Sequence, residues 1–255
     1  MPSTAPGPDP KPLPQVHFDV DDLDADEEKS LDFFRQVGVR EDMLFSLGEH
    51  HDGAHSYYVL FDGTATWGVP GMPQLLAVHL HRDYENKTFS FEQAPLPLPA
   101  MAQSWLIHRG CPHDAITLSS HPGPPPADAA TRALERRLAD AGDHYAMGYS
   151  YTSDDPDDMV VVVALRALDE RAPSPYRVMA EEIDVETWTH TLREGGFDTM
   201  GQALEWCEAR LDGEAGPLPP VRPAGAASLP VGVAKAAAVP RPAGGVESSA
   251  RGVRR

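Results

Sequence analysis

His79 and His81, in the run Val78-His79-Leu80-His81, are the side chains whose spacing most directly offers chemistry. On a strand, residues two apart share a face, so both imidazoles point one way and Val78 and Leu80 the other. If the chain reverses at Glu85-Asn86, His79 falls opposite Glu92, His81 opposite Ser90, and Leu80 opposite Phe91. The same parity matches apolar with apolar in both strands, which favours that register. Two imidazoles and a carboxylate on one polar face are a ligand set for Zn or Fe, so His79, His81 and Glu92 are the candidate divalent-metal site. A solvated sheet face carrying an ordinary His–Glu cross-strand pair accounts for the same residues.

A second polar cluster is His51, Asp52 and His55. His51 and His55 are four apart, a ligand spacing on a helix, but Gly53 between them favours a surface turn before a strand. This turn and the His79/His81 face would have to converge for both clusters to hold one ion. Glu181, Glu182 and Asp184 offer a carboxylate pair for glycoside-type acid/base chemistry, which needs two carboxyls about 5–9 Å apart across a sugar. His190 alternates with Trp188 and Leu192 and reads as a hydrogen-bonded core histidine. Cys111 and Cys207 form no metal or redox spacing. Cys207 sits on an apolar helical stripe and belongs in the core. The acidic run from Asp19 to Glu28 lacks the glycine and terminal glutamate of an EF-hand loop. Walker A, Gly-x-Ser-x-Gly, His-Glu-x-x-His and dinucleotide fingerprints are absent from the chain.

Three stretches carry resemblances. His79-Leu80-His81-Arg82-Asp83-Tyr84 partly resembles the His-x-His-x-Asp-His motif of metallo-β-lactamase-type hydrolases. Here Tyr84 replaces the last histidine, and the motif lies in a strand instead of a loop, so the match is read as chance. Gly195-Gly196-Phe197-Asp198-Thr199, with Ala203 and Trp206 following, resembles the strand-to-helix corner of integrase arm-binding domains. Those need basic strands, and these are acidic. Residues 72–84 and 189–197, with Arg outnumbering Lys 17 to 4, resemble an uncharacterised acidic protein family of GC-rich actinomycetes. That resemblance spans about residues 15–220 and implies no established activity.

The elements that must position these residues follow from period and punctuation. Val16–Val20 alternates as a strand. Asp24 can cap a helix with Glu27 at the capping-box position, and Leu31, Phe34 and Val37 form its apolar stripe. Strands are expected near His55–Asp62, Leu75–Arg82 and Thr88–Gln93, then a helix from Pro99 to about Arg109 closed by Gly110. A second series runs from a helix over Asp128–Ala141 to a hairpin of His144–Ser153 and Met159–Leu168, strands Tyr176–Val185 and Thr187–Arg193, and a helix capped by Thr199 and Gln202. The β-branched run Met159–Leu165 suits a central strand covered on both faces. The fold class is therefore α+β: mainly antiparallel sheets with flanking helices, arranged as two helix–strands–helix modules. Residues 1–14 read as a disordered Pro-rich leader, 15–118 as the first half, 119–127 as a Pro-rich linker, 128–215 as the second half, and 216–255 as a disordered basic tail.

Charge constrains partners more than chemistry. Residues 1–215 carry 38 acidic and 15 basic side chains, a net of −23, while residues 216–255 carry one acid and six bases. Such a body repels nucleic-acid phosphates and anionic membranes and steers basic proteins toward it. No run of 18 apolar residues and no signal-peptide pattern is present, which with two unframed cysteines points to the cytoplasm. The expected function is a non-enzymatic binding or adaptor protein for a basic protein partner, with Trp67 and Trp206 as anchors. No cofactor is expected beyond the divalent metal. The alternative is a hydrolase, metal-dependent through His79, His81 and Glu92 or carboxylate-based. A third reading makes the basic tail the functional part.

Overall fold

The computed structural model describes residues 14–24, 27–118, 123–140, 145–169, 172 and 174–222. Strands β1 (Leu44–Asp52), β2 (His55–Asp62), β3 (Leu75–Asp83) and β4 (Thr88–Leu96) form one antiparallel sheet in chain order. Strands β5 (Tyr145–Asp155), β6 (Asp158–Ala167), β7 (Tyr176–Asp184) and β8 (Thr189–Phe197) form a second sheet of the same order. Helix α1 (Glu27–Gln36) precedes the first sheet and α2 (Pro99–Ile107) follows it. Helices α3 (Ala129–Asp140) and α4 (Met200–Leu211) bracket the second in the same way. The two modules expected from element order are thus present. Each first strand also carries a register shift at the matching place, between Ser46 and Gly48 and between Met147 and Tyr149.

Alternation decides which side chains meet which helix. In the first sheet Tyr58, Leu60, Leu76, Val78 and Leu80 pack with Phe33 and Val37 on one face. Tyr57, Val59, Leu75 and Ala77 pack with Trp105, Leu106 and Cys111 on the other. In the second sheet Val161, Val163, Met179 and Leu192 lie under Leu134 and Leu138 of α3. The opposite face, with Val160, Val162 and Val178, lies under Ala203 and Cys207 of α4. The two halves share α2: Ala102, Trp105 and Leu106 belong to the core of the first sheet, whereas Leu98 and Ala100 belong to the core under α3. A helix apolar on all sides is the kind that becomes buried between layers, and Pro99-Ala-Met-Ala-Gln-Ser-Trp-Leu-Ile is such a sequence.

Several segments differ from their expected state. Val16–Val20 is irregular rather than a strand. Val16 and Phe18 are buried, but the backbone pairs with β1 at its edge, where the Ser46 amide donates to the Pro14 carbonyl at 2.8 Å. The buried Arg82 adds two ties, donating from Nη2 to the Phe18 carbonyl and from Nε to that of Asp19 at 3.2 Å. Asp24, expected to cap α1, instead pairs its backbone with β4 at Lys87 and Phe89. The stripe of α1 is Phe33 with Val37, which leaves Leu31 44% and Phe34 59% exposed. Leu44–Asp52, to which the sequence pattern assigns no element, is a full strand, and the turn expected at Gly53 follows it. Residues 216–222, assigned to the tail by composition, form a strap on the second sheet. The Gly216 carbonyl accepts from Trp206 Nε1 at 3.0 Å, the Pro219 carbonyl accepts from the Gly196 amide at 3.0 Å, and Arg222 pairs with Asp198. Residues 1–13, 119–122 and 223–255 lie outside the described residues.

Irregular segments also cover the edges of the second sheet, a common protection against strand addition. The β2–β3 loop lies along β5, with Gly68 and Gly71 amides donating to Thr152 and Ser150 carbonyls at 2.8 Å. The Pro-rich segment lies along β8, where His190 donates to Pro125 and accepts from Ala127 through its backbone.

Candidate functional site

The β3–β4 register places His79 opposite Glu92, His81 opposite Ser90 and Leu80 opposite Phe91. The connection is a four-residue turn, Tyr84–Lys87, with the same register as the shorter turn would give. Asp83 Oδ1 organises it by accepting from the Glu85 and Asn86 amides, each at 3.1 Å. On the other side β2 sets His55 opposite His81 and Tyr57 opposite His79. Four imidazoles therefore share one sheet face, since His50 of β1 lies opposite Tyr57, and three of them, His55, His79 and His81, cluster together. His55 Nδ1 and His79 Nε2 are 3.0 Å apart, and the His55 and His81 ring centroids are 4.6 Å apart. The Tyr57 ring lies parallel to His79 at 4.7 Å.

This part of the surface can hold and move protons. Of two imidazole nitrogens in hydrogen-bond contact, one donates and one accepts, so His55 and His79 share a single proton and a second one breaks the bond. Burial, then the neighbouring His55, lowers the pKa of His79, with Glu92 acting in the opposite sense. Glu92 is itself engaged: Arg109 Nε donates to it at 2.9 Å. The same guanidinium lies 3.5 Å over the Trp105 ring and donates to the Trp105 carbonyl at 3.1 Å. Among the described residues no group of three or more His, Cys, Asp or Glu side chains is arranged to hold a metal ion. Cys111 lies buried beside this face, and burial pushes its thiol up to about 11. Cys207 is buried under the second sheet and pushed up to about 12, first by burial and then by Glu208. Neither is a nucleophile near neutral pH.

The second polar cluster divides. His55 joins the imidazole face, whereas His51 sits on the opposite face, with Nδ1 2.8 Å from Ser56 Oγ and its ring edge-on to Tyr58 at 5.5 Å. Asp52 is exposed at the end of the β1–β2 hairpin, paired with His55. Adjacent residues of a strand point to opposite faces, which separates His51 from Asp52. The two clusters meet through His55, with Asp52 at the exposed end of the same face.

Glu181, Glu182 and Asp184 are also dispersed. Glu181 faces α3, Glu182 accepts from Arg210 Nε at 2.7 Å on the α4 side, and Asp184 Oδ1 accepts from the Glu186 and Thr187 amides at 2.9 and 3.1 Å. These turn hydrogen bonds hold the Asp184 pKa low. His190 is a core histidine with both nitrogens bonded, Nδ1 to the Pro124 carbonyl at 2.7 Å and Nε2 to Glu135 Oε1 at 2.8 Å. Burial works against its charge, but the Glu135 hydrogen bond, Glu181 and the Pro124 carbonyl together raise its pKa.

Trp67, in the β2–β3 loop, is 37% exposed. Trp206 is half-buried and tied through its indole N–H to Gly216. Trp188, read as an inward strand residue, stands instead in the β7–β8 turn with φ +50° and 54% exposure. In an antiparallel meander the β5–β6 and β7–β8 turns lie at the same end of the sheet, about 10 Å apart at two strand spacings. Asp154, Asp155 and Asp157 are exposed at or beside the first turn, and Asp184 and Glu186 at or beside the second. Alternation alone placed Trp188 wrongly, because a left-handed residue at the turn breaks the period. The Asp184-Val185-Glu186-Thr187 sequence, with a carboxylate able to accept from the next amides, was the available turn signal.

Comparison of the chain with protein-family models, with curated proteins and with solved structures finds no match. No described helix is long and apolar enough to cross a membrane.

Proposed function

We propose that the protein is a non-enzymatic binding or adaptor protein for a basic protein partner, acting in the cytoplasm, and that the docking surface is the turn end of the second sheet. The observation that carries this reading is Trp188, more than half exposed beside Val185, which is 46% exposed. The carboxylates of Asp154, Asp155, Asp157, Asp184 and Glu186 stand at the two turns and the strand ends beside them, without an ion pair among the described residues. Aromatic anchors ringed by polar groups are the usual energetic centres of interfaces. An indole face also attracts Lys and Arg through cation–π contact. The turn hydrogen bonds of Asp184 hold the indole's backbone in place before contact, which lowers the ordering cost of association. The charge of residues 1–215 would speed encounter with a basic partner. By the same charge, nucleic acid is not a partner. The chain's place among acidic actinomycete proteins belongs to the same proposal.

The test uses a nona-arginine peptide as the basic probe, titrated calorimetrically against the full chain at low and at physiological salt. Binding should weaken steeply with salt. Trp188→Ala should weaken it by roughly ten- to thirtyfold, as loss of a hot-spot side chain does. Binding indifferent to both salt and Trp188 would remove this assignment.

The imidazole face favours a second reading, a metal-dependent hydrolase through His79 and His81, with His55 supplying a nitrogen that sequence reasoning did not bring to that face. Zn titration followed by imidazole NMR signals tests it. Selective shifts of His55, His79 and His81 at one equivalent would support it, and uniform weak shifts across all histidines would sink it.

A further inference from the structure

A cavity of about 350 Å³ lies where α2 and α3 meet the second sheet. Its walls are mostly apolar, with Leu98 and Ile107 from α2 and the residues just before and within it, Leu118 from the following segment, and Leu192 from β8. Glu181 also lines it. The β-sheet register sets this carboxyl between Val161 of β6 and Leu192 of β7's other neighbour, β8, so its lateral neighbours are hydrocarbon.

Three ion pairs flank α3: His190 with Glu135, Arg193 with Asp128, and Arg137 with Glu194. His190 is hydrogen-bonded to Glu135 and acts on Glu181 only through its field. Its Nδ1 faces a carbonyl, which only accepts, so Nδ1 carries a proton; Nε2 faces a carboxylate, so the ionised pair is imidazolium with Glu135. Glu181 makes no hydrogen bond or ion pair among the described residues. Burial raises its pKa, with His190 opposing and Glu135 adding to the rise. An unpaired carboxyl against apolar walls is costly, and a cationic ligand is what would balance it.

We propose that this cavity binds a small primary amine with an apolar body, its ammonium paired with Glu181 and its hydrocarbon against the leucine walls. The volume falls within the range of small-molecule sites, which are apolar with few polar groups. It is far larger than a bare ion needs. Glu135 also borders it but is engaged by His190 Nε2 at 2.8 Å, which leaves Glu181 as the carboxyl for an ammonium. Arg136 and His113 also border the cavity; His113 is held by Asp140 and Asp114. The site lies on the α3 face of the second sheet and is independent of the docking surface at Trp188.

Benzylammonium is the probe, titrated against the full chain by calorimetry, with benzyl alcohol and benzoate as isosteric controls. Benzylammonium should bind saturably and benzyl alcohol at least roughly tenfold more weakly, the scale of a hydrogen bond to a charged group. Glu181→Gln should weaken benzylammonium binding by roughly ten- to hundredfold. Ala139→Phe, which fills the cavity and leaves Glu181 in place, should abolish binding, with thermal melting confirming that both variants fold. No binding to the wild-type chain, equal binding to Glu181→Gln, or preference for benzoate would each overturn the proposal.

Discussion

Two histidines illustrate how identical side chains acquire opposite roles. His79 is half-buried against another imidazole, and its pKa lies below the usual 6.5; His190 is bonded to a carboxylate and lies above it. Near pH 6 the folded chain holds fewer protons on His79 than the unfolded chain does. His79 therefore contributes stability that is complete above about 6.5 and declines as pH falls below it. His190 holds more protons when folded, so its contribution is complete below about 6.5 and is lost as pH rises through its folded pKa. His79→Gln should accordingly cost less stability at about pH 5.5 than at pH 8, and His190→Gln more. Urea midpoints of both variants at the two pH values measure this, and NMR titration should place the two midpoints on opposite sides of 6.5. The cysteines give a simpler expectation: neither should react with a thiol reagent at about pH 8 until the chain unfolds. The histidine spacing and the Glu92 partner were legible because strand parity is local. His55 was not, because it joins through β2–β3 pairing, 24 residues away in sequence from His79.

At the scale of elements, irregular segments are held by close approach. The strap 216–222 needs Gly196: a Cβ there would stand 2.6 Å from Ser174 Oγ and 3.0 Å from the Val221 Cα. Because one neighbour is backbone, the contact cannot be relieved by a rotamer change. Gly196→Ala should cost about 1–3 kcal/mol, the range for overpacking, and hydrogen exchange should rise first at the Gly196 amide. Arg82 performs the corresponding task in the first half, joining Ser56 Oγ at 2.6 Å to the Phe18 and Asp19 carbonyls. Arg82→Met should destabilise by about 2–3 kcal/mol, since its bonds are charge-assisted and buried, and should loosen residues 14–24 before the sheet. Ser150 and Thr152 are the reverse case. Their hydroxyls are buried without a partner among the described residues, so Ser150→Ala should leave stability unchanged or raise it by up to about 1 kcal/mol. Helix caps were readable where the chemistry is local, as at Thr199, whose hydroxyl accepts from the Gln202 amide at 3.2 Å. The cap assigned to Asp24 was not: α1 begins three residues on, at Glu27, and the Asp24 backbone is held by a long-range bridge to β4.

For the whole molecule, packed structure continues through residues 216–222, beyond the point where composition changes. A chain ending at Arg222 should melt at the same temperature as the full chain. One ending at Ala215 should melt several degrees lower, because it loses the strap and frees Asp198, Gly196 and Trp206 of their partners; differential scanning calorimetry distinguishes the two. The shared helix α2 couples the modules, since its residues enter the cores of both sheets. Unfolding should therefore be a single transition by fluorescence and by far-UV circular dichroism, and two separated transitions would show that α2 does not couple them.

What the amino-acid order determined alone is whatever depends on neighbours a few residues apart: the strand and helix periods, the hairpin registers, the α+β class with two similar modules, and the separation of an acidic body from a basic end. Tertiary structure decided which faces meet. It moved His55 onto the imidazole face and His51 off it, set Glu181 beneath α3 and Glu182 against Arg210, and turned Trp188 outward. The physical reason is that parity and period specify only relative direction along one element. Which direction becomes interior depends on burying area against elements distant in sequence, and on the few long-range hydrogen bonds that hold irregular segments in place.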